Sequence, residues 1–130
     1  HQPVALMEGS SGQPEALTRL EGRRVALVSS IGDPAGFEAT VRRLHATIGW
    51  HQIFPDHHRY RASEWEALCA RAKTDRPDAL VTTEKDWVRL QPLIVAHGAC
   101  PVPVWILNVR MQILEGEALL DDRLARVSRR

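Results

Sequence analysis

Four short apolar runs alternate along this sequence with stretches that have the apolar spacing of helices. The runs cover residues 24–29, 50–54, 79–82 and 103–107. Strand-like runs that are separated by about one helix each are typical of a parallel sheet with right-handed crossovers. The sequence therefore predicts an α/β fold, namely a three-layer α/β/α sandwich around a mainly parallel sheet of about four strands.

The first predicted helix follows a glycine turn. Asp33 is the expected N-cap and Pro34 the first helical position, because an aspartate side chain can accept from the free N–H groups and proline needs none. Apolar residues at three- and four-residue steps extend this helix to Ile48, and Gly49 stands where a helix C-cap belongs.

The later elements follow the same pattern. Ser63 and Glu66 have the spacing of a capping box that opens a second helix, and residues 87–96 predict a third helix that Pro92 interrupts early. Residues 109–114 alternate like an edge strand, and residues 117–127 predict a closing helix. Core packing is the expected role of the four tryptophans, which are Trp50, Trp65, Trp87 and Trp105.

The size and charge of the chain narrow its class. A chain of 130 residues with 44% hydrophobic content can form one domain with its own core. Its 17 basic and 16 acidic residues leave a formal charge of +1, which argues against non-specific nucleic-acid binding.

Cys69 and Cys100 have no metal-ligand spacing and fit a reducing compartment. No apolar run reaches the length of a membrane span. Residues 8–14 have the composition of a linker, which suggests that another segment precedes them.

Three loops carry most of the chemistry. In parallel sheets, ligands bind outside the carboxyl ends of the strands, where the loops and helix N-termini gather. Here these loops are residues 31–34, 55–58 and 83–86. We therefore expect them to face one crevice.

The loop with Asp56, His57 and His58 is the sharpest candidate for catalysis. Histidine titrates near neutrality, and an adjacent carboxylate can orient it as a base. Because neighbouring side chains point apart, we expect one histidine to face inward and the other to face solvent. The alternative is a polar turn with a surface histidine.

The loop formed by Thr83, Glu84, Lys85 and Asp86 is a candidate site for a phosphate group. It follows a strand and opens a helix, where N–H groups and the helix dipole favour anions and a lysine adds positive charge. The alternative is a capped helix with solvated charges. Gly32 and Asp33 either serve only as the turn and cap that begin a helix, or they form a site where the glycine lets a nucleotide approach the backbone closely. We expect no resident metal site in this chain.

These motifs resemble a known family. S-I-G-D-P-x-x-F at 30–37, F-P-D-H-H at 54–58 and T-E-K-D-x-V at 83–88 are similar, in this order and spacing, to the C-terminal lobe of the tetraacyldisaccharide 4'-kinases. The resemblance covers nearly the whole chain. It implies that residues 1–19 are a linker or edge segment from a preceding lobe and that residues 20–130 are the C-terminal lobe.

The resemblance implies the reaction and its participants. The family transfers the γ-phosphate of ATP, with Mg²⁺, to the 4'-hydroxyl of a tetraacyldisaccharide 1-phosphate at the cytoplasmic face of the inner membrane. Its ATP-binding P-loop lies in the N-terminal lobe, which also makes the peripheral membrane contact and holds most of the Mg²⁺. No G-x-x-x-x-G-K-[ST] motif occurs here, so the chain alone is expected to be inactive.

The resemblance also assigns roles to residues. The family's constant Asp-His pair maps onto Asp56 and His57, with His57 helping to deprotonate the sugar hydroxyl and Asp56 orienting it. Nucleotide contacts map onto the loop at 83–86 and the turn at Gly32 and Asp33. The chain departs from the family's usual residues at Ser30, Glu38 and Trp87, which affects only fine contacts.

Two other functions stay open from the residues alone. Metal-dependent phosphoesterases also place Asp-His-His after a strand, and a site of that kind would hold Mn²⁺ with aspartates from neighbouring strands. A non-catalytic nucleotide-binding module would bind ATP without a second lobe.

Overall fold

The computed structural model of the protein describes residues 2–110, with the side chains of residues 5–108. Of the strand expected at 109–114, residues 109 and 110 continue the last strand of the sheet and the rest lies outside the described residues, as does the closing helix expected at 117–127. The described residues form an α/β fold, with a mixed sheet and helices packed on both of its faces. The strands are β1 (Gln2–Glu8), β2 (Pro14–Glu15), β3 (Arg24–Ser29), β4 (Thr47–Ile53), β5 (Ala79–Thr83) and β6 (Val104–Arg110). The helices are α1 (Pro34–Arg43), α2 (Ala62–Asp75) and α3 (Glu84–His97), with a 3-10 turn at Leu17–Leu20.

The sheet has six strands in the order β2-β1-β6-β5-β3-β4. The four predicted strands form its parallel part, in which β3 pairs with both β4 and β5, and β5 pairs with β6. The expectation of about four strands was too low because β1 and β2 were not recognised. Strand β1 runs antiparallel to β6, with Leu6 opposite Leu107, and continues the sheet beyond it.

Each face of the sheet buries its own apolar cluster, so the three-layer prediction is confirmed. One face packs under α1 and the 3-10 turn and includes Leu27, Phe37 and Val41. The other packs under α2 and α3 and includes Trp65 and Leu90. All four tryptophans are buried, as predicted.

Helix α1 is shorter than the sequence predicted. Asp33 caps it as expected, accepting from the N–H of Gly36 at 3.0 Å, but it ends at Arg43 and His45 takes a positive φ of 67°. Pairing within the sheet takes the place of the last helical turn. Ile48 lies in β4, where it pairs with Val25 of β3 and still contacts the core. Gly49 therefore lies in β4 and is not a helix cap. A side chain there would require Arg24 to move, because an added Cβ would lie 2.5 Å from its guanidinium.

The other two helices differ from the prediction at their starts, which are earlier than expected. Helix α2 starts at Ala62, and the carboxylate of Glu64, rather than that of Glu66, accepts the N–H of the capping residue Arg61 at 2.8 Å. Helix α3 starts directly at Glu84 and includes Pro92. Residues 84–86 therefore form its first turn, with Thr83 as the N-cap.

Candidate active site

The carboxyl ends of β3 and β4 bring two of the predicted loops together. The N–H of Phe54 donates to the carbonyl of Ser29 at 2.8 Å, and the N–H of His57 donates to that of Ser30 at 3.0 Å. A Cβ added to Gly32 would lie 3.5 Å from Oδ2 of Asp56, so this carboxylate lies close to the glycine turn. The loops after β3 and β4 therefore form one surface.

His57 stands exposed on this surface in an unusual backbone conformation. Its φ is 62°, in the left-handed region that costs a non-glycine residue about 1–2 kcal/mol. Its side chain is 71% exposed, and Nε2 lies 3.7 Å from Oδ2 of Asp56. That separation is longer than a hydrogen bond, so the pair is adjacent but open. Backbone strain of this kind clusters at functional sites.

His58 is the inward histidine of the pair, and the two imidazoles divide as predicted. Its ring stacks on Phe54 with centroids 4.6 Å apart, and Nε2 lies 2.8 Å from the carboxylate of Glu64 at the start of α2. These contacts give His58 a structural role, holding the loop against α2.

Asp86 connects the third loop to the other two from inside the protein. It is fully buried, and its carboxylate accepts from the N–H and hydroxyl of Ser30, the hydroxyl of Thr83 at 2.6 Å and the phenol of Tyr60 at 3.0 Å. A buried carboxylate needs such donors to offset its lost hydration. Burial raises the pKa of Tyr60 far above its usual value, and the Asp86 carboxylate raises it further. Asp86 therefore anchors the start of α3 to the loop after β3.

The residues proposed for nucleotide binding divide into two groups. Thr83 and Asp86 are buried. Their side chains hydrogen-bond to each other, and Asp86 also accepts from Ser30, so the two residues can shape a binding surface but do not line it. Gly32, Glu84 and Lys85 are exposed, as is Asp33. Glu84 accepts from Asn108 on β6 at 3.3 Å.

Arg89 completes the surface, and the sequence did not indicate it. It lies on α3 one turn after Asp86. Its Nη1 is 3.5 Å from Oγ of Ser30 and its Nη2 is 3.4 Å from Nδ1 of His57. This residue joins α3 to the His57 loop and places His57 on the same rim as the corner at 83–86. The only available signal was its position three residues after Asp86 on a helix that opens at this edge.

A second histidine network lies just below the edge. His51 on β4 has Nδ1 2.7 Å from the carboxylate of Glu38 and Nε2 2.7 Å from Oγ of Ser29, and its side chain is 4% exposed. Ser29 is fully buried, so the network ties α1 to β3 and β4 and offers no nucleophile to solvent. Glu38, one of the departures from the family's usual residues, thus has a structural partner in this chain.

The described residues do not bring together enough metal-binding side chains to hold an ion by themselves. Within residues 2–110, no group of three or more His, Cys, Asp or Glu side chains could hold a metal ion together. Asp56 and His57 alone do not make a magnesium site, because Mg²⁺ needs near-octahedral oxygen coordination.

Comparison with known proteins identifies the family. The sequence profile described as tetraacyldisaccharide-1-P 4'-kinase matches residues 1–128. The chain belongs to this family. A tetraacyldisaccharide 4'-kinase of Anaeromyxobacter dehalogenans (strain 2CP-C) is 39% identical over 125 residues, which cover 96% of this chain and 32% of the relative. Tetraacyldisaccharide 4'-kinases of Syntrophus aciditrophicus (strain SB) and Methylorubrum populi are 34% and 47% identical over 87% and 68% of this chain.

Membership in the 4'-kinase family confirms the resemblance drawn from the three motifs. The chain spans about a third of the length of the curated relatives it matches, with 32% of one and 29% of another covered. No solved structure matches it significantly. None of the helices in the described part of the chain has the length and apolarity that a membrane crossing requires.

Proposed function

We propose that this chain is the C-terminal lobe of an ATP-dependent kinase that phosphorylates the 4'-hydroxyl of a tetraacyldisaccharide 1-phosphate. The observation that carries the proposal is the position of His57, which stands exposed beside Asp56 and in contact with Arg89 at the carboxyl edge of the sheet. An exposed imidazole on this rim can meet a substrate held by a second lobe.

The proposed role of His57 is that of a general base. As the 4'-oxygen attacks the γ-phosphorus of ATP, its proton passes to the imidazole, the new O–P bond forms, and the bond from phosphorus to the bridging oxygen breaks to release ADP. Positioning and charge stabilisation contribute most to such transfers. Asp56 is close enough to stabilise the imidazolium once a small movement shortens the 3.7 Å separation.

The rest of the reaction centre belongs to a second lobe in this proposal. A P-loop lobe would bind the triphosphate and most of the Mg²⁺, while the exposed Gly32, Asp33, Glu84 and Lys85 would contact the nucleotide from the opposite side. Thr83 and Asp86 would support that surface from within. Dividing the site between two lobes lets their closure exclude water from the transferred phosphate.

The proposed location follows from the acylated substrate. The kinase would act at the cytoplasmic face of the inner membrane, and the second lobe would make the membrane contact.

A hybrid kinase tests this proposal. This chain replaces the matching third of the Anaeromyxobacter relative, and ATP-dependent phosphorylation of the disaccharide is measured. We expect His57→Ala to lower kcat by roughly 10² to 10⁴, the usual contribution of a positioned acid–base group. We expect Asp56→Asn to lower kcat by a smaller factor. His97→Ala, an exposed histidine at the end of α3, is the control and should leave kcat unchanged. Equal kcat for His57→Ala and His97→Ala would remove His57 from the mechanism.

A further inference from the structure

Arg89 places a positive charge at the candidate site, and no carboxylate among the described side chains pairs with it. Its two side-chain contacts, at 3.5 Å to the hydroxyl of Ser30 and 3.4 Å to the ring of His57, are long. Within residues 5–108, no Asp or Glu pairs with it. A guanidinium has five N–H donors in a planar fork, so most of its donors stay available at this rim.

The contact with His57 favours one position of the imidazole proton. Because a guanidinium only donates, this contact is a hydrogen bond only when Nδ1 of His57 accepts, and the neutral ring then carries its proton on Nε2, on the side of Asp56. A general base needs a free lone pair. In this arrangement Arg89 covers the lone pair that His57 would use.

The hydroxyl of Ser30 lies between the buried anchor and Arg89. It donates its proton to Asp86, which leaves its oxygen lone pairs to accept from Arg89. This arrangement holds the guanidinium near His57 through a weak contact only. A stronger acceptor at the rim would therefore draw Arg89 away at little cost.

From this geometry we infer that Arg89 is a phosphate-binding residue of the site and that phosphate binding uncovers Nδ1 of His57. The inference rests on the proposed role of His57 as the base. Phosphate oxygens match the guanidinium fork and form short charge-assisted hydrogen bonds, which are stronger than long contacts to a hydroxyl and an imidazole. The base would thus become available when a phosphate is in place.

The phosphate has two possible sources, which share this chemistry. It is either the terminal phosphate of the nucleotide or the 1-phosphate of the sugar acceptor. ATP and the soluble glucosamine 1-phosphate are suitable probes for the two sources, with sodium chloride at matched ionic strength as the reference.

Nitrogen NMR of the histidine rings tests the inference in this chain. With ¹⁵N-labelled histidine, the His57 signals are assigned by their loss in His57→Ala. We expect an Nδ1 signal typical of an acceptor before titration, and a saturable change of that signal with ATP, with glucosamine 1-phosphate or with both. The probe that saturates at lower concentration identifies the source.

Two variants separate the role of Arg89 from general charge effects. Arg89→Ala should abolish the saturable change, and Arg89→Lys should weaken it about tenfold because a lysine lacks the bidentate fork. Arg59→Ala removes the same charge from an exposed position on the His57 loop and should titrate within about twofold of the unaltered chain. Amide spectra check that each variant is folded, and Arg89→Lys remains informative if Arg89→Ala unfolds.

The outcomes distinguish this inference from the proposed function. A saturable response that is the same in Arg89→Ala, or no response of the unaltered chain to either probe beyond that to sodium chloride, overturns the role of Arg89 whatever the hybrid kinase shows. If Arg89→Ala abolishes phosphate binding while His57→Ala leaves kcat unchanged, the phosphate site stands and the base assignment is the part that fails.

Discussion

The N–H of His57 donates a 3.0 Å hydrogen bond to the carbonyl of Ser30. Ser30 is in turn held by the buried carboxylate of Asp86 through its own N–H and hydroxyl. The exposed histidine is therefore connected in two steps to a fully buried anion at the start of α3. This connection predicts that the site and the stability of the fold depend on the same carboxylate.

Replacing Asp86 should destabilise the protein severely. Asp86→Ala leaves buried donors from Ser30, Tyr60 and Thr83 without their acceptor, and each unsatisfied group costs about 1–3 kcal/mol. We expect a loss of about 3 kcal/mol or more in the free energy of unfolding, measured by urea denaturation. The exposed Glu66→Ala is the control and should change it by less than about 0.5 kcal/mol. A loss below about 1 kcal/mol for Asp86→Ala would contradict the anchoring role.

Tyr60 should resist ionisation, and its titration can be followed without interference because it is the only tyrosine in the chain. Burial and, next, the neighbouring Asp86 carboxylate raise its pKa well above the ordinary value of 10.0. We expect no tyrosinate absorbance from the folded protein at pH 11. An absorbance change with a midpoint near pH 10 in folded protein would show that the phenol is not buried against Asp86.

The same shift gives the stability of the fold an alkaline limit. The unfolded chain loses the phenolic proton above about pH 10 while the folded chain retains it, so the unfolded state binds fewer protons there. The contribution of Tyr60 is complete below pH 10 and declines as the pH rises further. Tyr60→Phe should reduce the slope of unfolding free energy against pH above 10, and an unchanged slope would assign the alkaline loss to other groups.

The two cysteines should react slowly in the folded protein. Burial, followed by the influence of Cys100, raises the pKa of Cys69 to about 12, and burial also raises the pKa of Cys100. Since only thiolates react, alkylation of Cys69 at pH 8 should be at least about a hundredfold slower in the folded than in the urea-unfolded chain, and alkylation of Cys100 should also be slower. Labelling of Cys69 at equal rates in both states would show that its partial burial does not protect the thiol. The structure places these residues close together although they are far apart in sequence.

Glu38 should contribute to stability through its histidine partner and only slightly through its arginine partner. Glu38→Ala leaves Nδ1 of the nearly buried His51 without an acceptor, and we expect a loss of about 1–3 kcal/mol in urea denaturation. Arg42→Ala removes only the exposed ion pair to Glu38 at 3.4 Å and should cost less than about 0.5 kcal/mol. Equal losses for the two variants would show that His51 does not depend on Glu38.

The sequence predicted the parallel part of the fold because its signals are local. β3 and β5 are continuous apolar runs that are buried on both faces of the sheet, and Asp33 caps α1 through a contact three residues away. β1 has no such signal, since its place is set by pairing with β6 at the other end of the described chain. Likewise, the spacing of Leu44 and Ile48 suits a helix, but pairing with β3 decides the structure there.

Candidate site residues can be proposed from the sequence where a motif is contiguous, but not where the contacts are between distant residues. Asp56 and His57 were proposed because they adjoin each other after a strand, and their catalytic role stays a prediction. Arg89 and Ser30 meet them only through the packing of α3 beside β3, which no local pattern records. Residue type also gave no sign of burial: Thr83 and Asp86 were proposed as nucleotide contacts, and both side chains are buried.

The rate of a single turnover in the hybrid kinase tests the central claim most directly, because it measures phosphoryl transfer apart from product release. With enzyme in excess over the disaccharide and ATP saturating, our account predicts that His57→Ala slows transfer by roughly 10² to 10⁴ while the disaccharide still binds. Transfer by His57→Ala within about threefold of the unaltered hybrid, a difference of less than 1 kcal/mol in the barrier, would contradict it.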